Sequence, residues 1–383
     1  MTLPLAALVI GTSESAVGIV NSLQDAGVRV HVAGNRKSDP MVRLVGETRW
    51  CDTDYSKDRA TLRSYVIENN VATIIPSGND AAYRACLDLN HHLDFRGFDT
   101  RDISAAITYK DLWAKLCLKH HFPAPRTMLG NSLSLLGELE ELPNDCCWIK
   151  KPRGNNSGLG IEIFESKSEL RSALYNSRTE KQTYVVQELI KGEHFSISAF
   201  IFQQTCRFFF TATEVMDHSS GGIWVKESVA PARIPAETIE QCIEKINALS
   251  VGAGFVDGLF HAQYILPEGS REALCIEAMR RLPGDFFGYH FQDGKRYHDL
   301  YCSAYFGDRS LFSIDNLTQS DLTGPITSRS VIVDRDIMRS CLEDRNSAAS
   351  KRLIFSYEDI DGNGIGFNKK FGVLISSQPD APT

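Results

Sequence analysis

Three stretches of this sequence concentrate the residue types that handle phosphate and metal. The first is Lys151-Pro152-Arg153-Gly154-Asn155-Asn156-Ser157-Gly158-Leu159-Gly160. Glycines let backbone N–H groups approach an anion without a Cβ in the way, and small polar residues add donors. Lys151 stands just ahead of the loop, where its ammonium can reach a phosphate. The competing account is a mobile surface hairpin. The second stretch is Gln187-Glu188-Leu189-Ile190-Lys191-Gly192-Glu193-His194. Such a polar strand end can hydrogen-bond a purine and a ribose, or it can be a solvated loop. The third is Cys275-Ile276-Glu277-Ala278-Met279-Arg280-Arg281-Leu282-Pro283-Gly284-Asp285. A carboxylate on an apolar strand with an arginine four residues on puts both on one face. A buried Glu277 needs a partner, and a metal-bound phosphate supplies one. A structural Glu–Arg pair is the alternative. His261 and Gln263, on a neighbouring strand with matching parity, can face the same site, although a lone histidine is more often packed in a core.

Those residues need a scaffold, and the hydrophobic pattern outlines it. Leu5 to Ile10 is a short apolar run, Gly11-Thr12-Ser13 a turn, Ala16 to Ala26 helically spaced, and Val28 to Val32 a second strand, as in a βαβ unit. Ala72 to Ile75 is a further strand, closed by Pro76-Ser77-Gly78-Asn79-Asp80. Residues 1–105 therefore read as a small parallel α/β domain. A helix over Tyr109 to His121 ends at Phe122-Pro123-Ala124-Pro125, whose prolines force an extended exit. Ser132 to Glu141 is a polar helical stretch. The strand Cys146 to Lys151 enters the glycine-rich loop and Ile161 to Phe164 leaves it, so the loop joins two strands and does not open a helix as a P-loop does. Tyr184 to Gln187, Phe195 to Phe202 and Cys206 to Thr213 read as strands, and Glu237 to Leu249 as an amphipathic helix. Leu259 to Leu266 and Ala273 to Ala278 are two strands around the turn Pro267-Glu268-Gly269-Ser270.

The 383 residues make two or three domains at about 150 residues each. The 48 acidic residues outnumber the 41 basic ones, which argues against a general nucleic-acid or anionic-membrane binder. Met1 to Ser13 lacks the basic lead of a signal peptide and the ~20 apolar residues of a membrane span. The ten cysteines include no Cys-x-x-Cys pair and no zinc spacing, so reduced thiols in a cytoplasmic protein are expected.

Taken in order, these stretches resemble one family, the ATP-grasp carboxylate–amine ligases. "VIGTSESAVGIVNSLQDAGVRVHV" is similar to the Rossmann-like domain that precedes the grasp, and "YKDLWAKLCLKHHFPAPRT" to the lead-in. "IKKPRGNNSGLGI" is similar to the Lys-Pro strand and phosphate lid, and "VVQELIKGEHFSIS" to the adenine hinge. "GLFHAQYIL" and "CIEAMRRLPGD" are similar to the two metal-bearing strands and the arginine after them. The resemblance implies an α/β ATP-grasp fold with an N-terminal Rossmann-like domain (1–105), a lid subdomain over the nucleotide (106–190), a metal and substrate subdomain (191–300) and a C-terminal α+β extension (301–383).

It also implies ATP and Mg2+ as cofactors, with Mn2+ as a substitute, and small-molecule carboxylate and amine substrates. Lys110 and Lys151 match the lysines on the nucleotide phosphates. Ser157, Gly158 and Gly160 match the lid, Gln187, Glu188 and Ile190 the adenine hinge, and Glu193 or His194 the ribose position. Glu277 matches the magnesium-bridging glutamate, and Arg281 the arginine that steadies an acyl phosphate. His261, Arg280, Arg281 and Gly284 are the candidate substrate contacts, and Gly221-Gly222-Ile223-Trp224-Val225-Lys226-Glu227 a candidate acceptor-side segment. Catalysis would fall to Arg281, Lys151 and Glu277. Two positions depart from the family. Gln263 stands where a carboxylate is usual, and Met279 where an Asn is frequent. A glutamine carbonyl can still ligate magnesium without charge, whereas a thioether is too soft.

"GLFHAQYIL" and "EAMRRLPGD" look most like the branch that joins amino acids into dipeptides. Loading an amino acid onto a carrier protein, or ATP binding without catalysis, are the alternatives. Homodimers are common in such folds, though nothing in this sequence requires one. A nicotinamide oxidoreductase is disfavoured, because Ser13 and Ala16 break the G-x-G-x-x-G pattern.

Overall fold

The computed structural model describes residues 5–13, 15–35, 40–139, 146–152, 160–179, 182–217, 224–283, 294–307, 310–312, 314, 326–332, 351–353 and 370–376. The chain opens with β1 (Ala6–Ile10), α1 (Ser15–Asp25), β2 (Arg29–Gly34), α2 (Pro40–Val45), β3 (Trp50–Asp52), α3 (Arg59–Glu68), β4 (Thr73–Pro76) and α4 (Asp80–Leu93). The strands form a parallel sheet in the order β3-β2-β1-β4. Every residue of β1 is buried, as expected of a strand covered on both faces. The turns after β1 and β4 sit side by side, with the Gly78 N–H donating to the hydroxyls of Ser13 and Ser15 at 2.8 Å each. Gly11 ends β1 at φ +90, where a Cβ would meet Ser77 Oγ at 2.3 Å.

Next come α5 (Arg101–Thr108), α6 (Lys110–Lys119), β5 (Thr127–Gly130), α7 (Ser132–Glu138), β6 (Trp148–Pro152), β7 (Glu162–Phe164), α8 (Lys167–Asn176) and β8 (Tyr184–Glu188). Their strands make an antiparallel sheet, β5-β8-β6-β7, with one face closed on α7 and α8 around Trp148, Leu135, Leu170 and Leu174. The glycine-rich loop connects the antiparallel neighbours β6 and β7, as a hairpin does.

The chain then leaves that sheet. β9 (Gly192–Phe202) starts four residues after β8 ends, yet it lies in a different sheet, with β10 (Thr205–Asp217), β11 (Trp224–Ala230), β12 (Gly258–Pro267) and β13 (Leu274–Met279). α9 (Ala236–Ala253) packs on one face of it and ends at Gly254 in the left-handed conformation. α10 (Gly294–Phe306) follows, then β14 (Ile326–Ile332), β15 (Lys351–Leu353) and β16 (Lys370–Ser376). The sheet order is β13-β12-β9-β10-β11-β14-β16-β15, antiparallel at every pairing.

Two expected domain limits need correcting. Residue 105 lies inside α5 and residue 300 inside α10, and a single helix does not span two independent units. Nor is the C-terminal part a separate extension. α10 packs against α1, and Leu300, Tyr301 and Tyr305 complete the core around β1, while β14 continues the large sheet from β11. Helix α7 spans Ser132–Glu138, and residues 140 and 141 of the expected stretch lie outside the described residues.

The α1–α10 contact depends on Gly18. A Cβ there would stand 2.3 Å from Nε2 of His298, a residue 1% exposed. Gly18→Ala is therefore expected to cost about 1–3 kcal/mol, read as a lower urea midpoint, despite alanine's better helix propensity.

Candidate active site

The neighbouring lysines of β6 point to opposite faces, as strand alternation requires. Lys150 Nζ pairs with Glu162 Oε1 at 2.9 Å and lies 4.6 Å from the centre of the Tyr184 ring. Lys151 shares the other face with Ile149, Val185 and Gln187, and is 9% exposed. Burial, with Lys110 nearby, pulls its pKa down to about 8, and Glu277 resists the shift.

Glu277 comes from the large sheet. It lies directly opposite Gln263 in the β12–β13 register, and its Oε1 is 3.4 Å from Nζ of Lys110, the first residue of α6. Desolvation pushes its carboxyl up, but Lys110, Lys151 and Arg281 outweigh that and hold it below the ordinary carboxylate value. Residues from three separate elements, α6, β6 and β13, thus bring two cations to one carboxylate. Arg281, just past β13, is 8% exposed. Its Nε donates to Asp80 Oδ1, and its Nη1 to the carbonyls of Gly78 and Leu282 at 3.0 Å each. The turn after β4 therefore holds this arginine beside the cleft.

The strand faces sort the remaining residues. On β9, Phe195 and Ile197 face the core under α9, while Ser196 and Ser198 face the cleft side with His261 and Gln263. Alternation puts His194 on that cleft side and Glu193 on the other. One residue absent from the sequence reading belongs here. Glu214 on β10 is 7% exposed, and its Oε2 accepts from Gln263 Nε2 at 3.1 Å. Burial raises its pKa to about 7, Glu277 adds to the rise, and Ser196 and Gln263 oppose it. Glu214 follows Phe210 and Ala212 on the buried parity of its strand, a signal that an alternation count would have caught.

The sequence model of the ATP-grasp domain family matches residues 112–265. The chain carries an ATP-grasp domain. No curated protein matches the chain in sequence. Its fold is similar to N5-carboxyaminoimidazole synthetase from Staphylococcus aureus complexed with ADP (TM-score 0.75, 15% identity, 99% of this chain and 95% of that one). It is also similar to phosphoribosylglycinamide synthetase from Anaerococcus prevotii (0.72, 15%, 98% and 94%). A third likeness is to an L-amino acid ligase from Bacillus licheniformis (0.70, 14%, 98% and 94%). At these identities the likeness establishes the ATP-grasp fold and no substrate.

Within the ATP-grasp domain the segment 189–191 carries the chain from the small sheet to the large one. Backbone bonds hold it at both ends, Leu189 N to Cys147 O at 2.9 Å and Glu268 N to Lys191 O at 3.4 Å. Gln187 is buried and donates to Thr127 Oγ1 at 2.9 Å. Glu188 accepts a weak bond from Cys146 Sγ at 3.7 Å, and Ile190 is half-buried. Gly160 has φ +74. Ser157, Gly158, Gly284 and residues 221–223 lie outside the described residues.

Two expected substrate contacts are corrected. Arg280 points away from Glu277 into a buried niche. Its Nε binds Asp99 Oδ2 at 2.8 Å, Nη1 the Leu259 carbonyl at 2.9 Å and Nη2 the Val256 carbonyl at 2.6 Å. With a second Nη2 bond to Asp99 Oδ1 at 3.4 Å, four of its five N–H donors are engaged inside this niche and the side chain is 3% exposed, so the geometry fits a structural strut better than a ligand contact. His261 is 1% exposed, with Nδ1 and Ser198 Oγ 2.8 Å apart and the Tyr297 hydroxyl 3.2 Å from the same oxygen. Burial and the Arg281 charge lower its pKa to about 3, so it stays neutral in the core.

Among the described residues no group of three or more His, Cys, Asp or Glu is arranged to hold a metal ion. The Glu277 carboxylate and Gln263 carbonyl are nonetheless hard oxygen donors, which suit a magnesium ion brought in on nucleotide phosphates. Met279, paired with His261, has only a soft sulfur. Among the described residues no helix is long and apolar enough to cross a membrane.

The depressed Lys151 pKa makes a prediction. Phosphate binds the protonated amine, so metal-free ADP affinity should fall as pH rises through about 8, the value for the free site. Calorimetric titration between pH 7 and pH 9.5 checks this, and Lys151→Ala should flatten the profile over that roughly two-unit range.

Proposed function

We propose that the chain is a Mg–ATP-dependent carboxylate–amine ligase. The convergence of Lys110 and Lys151 on Glu277, with Arg281 held alongside, carries this reading. Lys110 and Lys151 would bind the nucleotide phosphates between the two sheets, and segment 187–194 would hold the adenosine. Glu277, with Gln263, would hold the magnesium, which spreads charge developing on the transferring phosphoryl group. A substrate carboxylate oxygen attacks the γ-phosphorus, and the β–γ bridging bond breaks to release ADP. The amine then attacks the acyl carbon of the acyl phosphate, phosphate departs and the amine loses a proton. Arg281 and Lys151 would stabilise the charge on the transferring group and the tetrahedral intermediate. Closing the cleft would keep water from the acyl phosphate.

Amino acids or amino-acid-like metabolites are our reading of the substrates. The strand motifs "GLFHAQYIL" and "EAMRRLPGD" support it, as does the likeness to an L-amino acid ligase. The likeness to N5-carboxyaminoimidazole synthetases supports a second reading, in which the amine belongs to an imidazole ribonucleotide. ADP release from Mg–ATP, screened against paired L-amino acids and against aminoimidazole ribonucleotide together with bicarbonate as the carboxylate, separates the two. A pair-dependent product lighter by one water establishes the first. ATP binding without ADP release in any combination, carrier-bound amino acids included, would overturn the ligase reading in favour of a nucleotide-binding protein.

A further inference from the structure

Gln263 offers a divalent cation a neutral oxygen where a carboxylate would also bring charge. The fold answers this from another strand. The order β13-β12-β9-β10 sets Gln263 between Glu277 on one side and, across β9, Glu214 on the other. Gln263 Nε2 donates to Glu214 Oε2 at 3.1 Å. A primary amide has one donor end and one acceptor end, whereas a carboxylate only accepts. With its donor end tied to Glu214, the amide turns its carbonyl toward Glu277. That leaves the carbonyl as the free end of a side chain paired directly opposite Glu277, and a cation held between the two would be stabilised by both.

We propose that Glu214 is a positioning residue for the metal: it locks the Gln263 amide in the ligating orientation. Outer partners of this kind fix the orientation of metal-binding side chains in many sites, and losing one typically weakens metal binding roughly 10- to 100-fold. The inference rests on the magnesium–nucleotide reading of the site.

The probe is Mn2+, titrated at pH 8 with ADP saturating, with free Mn2+ counted by electron paramagnetic resonance. Glu277→Gln should lose most of the Mn2+ affinity. Glutamine at position 214 can donate or accept, so Glu214→Gln no longer dictates how Gln263 turns. It should weaken Mn2+ roughly 10- to 100-fold while metal-free ADP binding and the melting temperature stay as in the parent. The exchange of both residues, Glu214→Gln with Gln263→Glu, rebuilds the hydrogen-bonded pair with the carboxylate on the ligating strand and should restore Mn2+ binding. Glu214→Gln with parental Mn2+ affinity, beside a defective Glu277→Gln, would refute the positioning role and leave the metal reading intact. A loss that the exchange does not restore would make Glu214 merely structural and equally refute it. Parental Mn2+ affinity in every variant would bring down the metal reading and the proposal together.

Discussion

Glu277→Gln is expected to abolish substrate-dependent ADP release while the protein stays folded. The substitution keeps the volume of the side chain and removes a carboxylate that faces both Lys110 and Lys151. Two losses combine. On the proposed reading the magnesium would lose its charged protein ligand, and the two lysines would lose the counter-charge that balances them when phosphate is absent. A fall in kcat of at least roughly a hundredfold is expected, since losing a metal's orienting partners alone costs 10- to 100-fold. A coupled ADP assay measures the fall, and a melting curve close to the parent's shows that the fold survives. Lys151→Ala should also silence turnover, with more of the loss in the KM for ATP if the lysine, as proposed, binds the nucleotide in ground and transition states alike. Near-parental turnover in either variant would mean that the phosphoryl transfer takes place elsewhere.

The second large effect concerns stability. Asp99→Ala is expected to cost about 3–5 kcal/mol, because it strands a guanidinium in the interior. The side chains of Arg280 and Asp99 are 3% and 1% exposed, and Asp99 Oδ1 also accepts from the Val256 N–H at 2.9 Å. No water can replace the lost carboxylate without opening the packing beside Phe255, whose ring lies 5.3 Å from the guanidinium. Urea denaturation reads the change as a shift of midpoint at constant slope. Combining Asp99→Ala with Arg280→Met should recover part of the loss, since an apolar side chain leaves no orphaned charge. A cost below about 1 kcal/mol for Asp99→Ala would show the pair to be solvated, contrary to its burial.

What could be read from the sequence tracks how local the information is. The opening βαβ unit was legible because its strands and helix follow one another within a few residues. The face shared by Glu277 and Gln263 was legible because a strand has period two. The same parity separates Arg280 from Arg281, so the two neighbouring side chains take opposite sides, one toward Asp99 and the other toward Asp80. His261 was read both ways. The packed-core account prevailed because Ser198 and Tyr297 supply polar company from β9 and α10, 63 and 36 positions away in the chain. Glu214 and Asp80 went unnoticed for a related reason. Each gains its meaning from a partner that only the folded chain delivers, 49 residues away for Gln263 and 201 for Arg281. Composition and spacing do not mark the crossing between the two sheets, since β8 and β9 are nearly continuous in sequence; the limit at 190/191 comes from the family resemblance alone.

The docking of α10 on α1 has a consequence during synthesis. A ribosome completes β1 and α1 early, but the helix that covers α1 emerges about 280 residues later, some 15–60 s at bacterial and eukaryotic elongation rates. Throughout that interval the growing polypeptide carries an apolar helix face with no lid of its own. Whatever shields nascent chains in the cell must attend to the first domain until almost the last of the core has been translated.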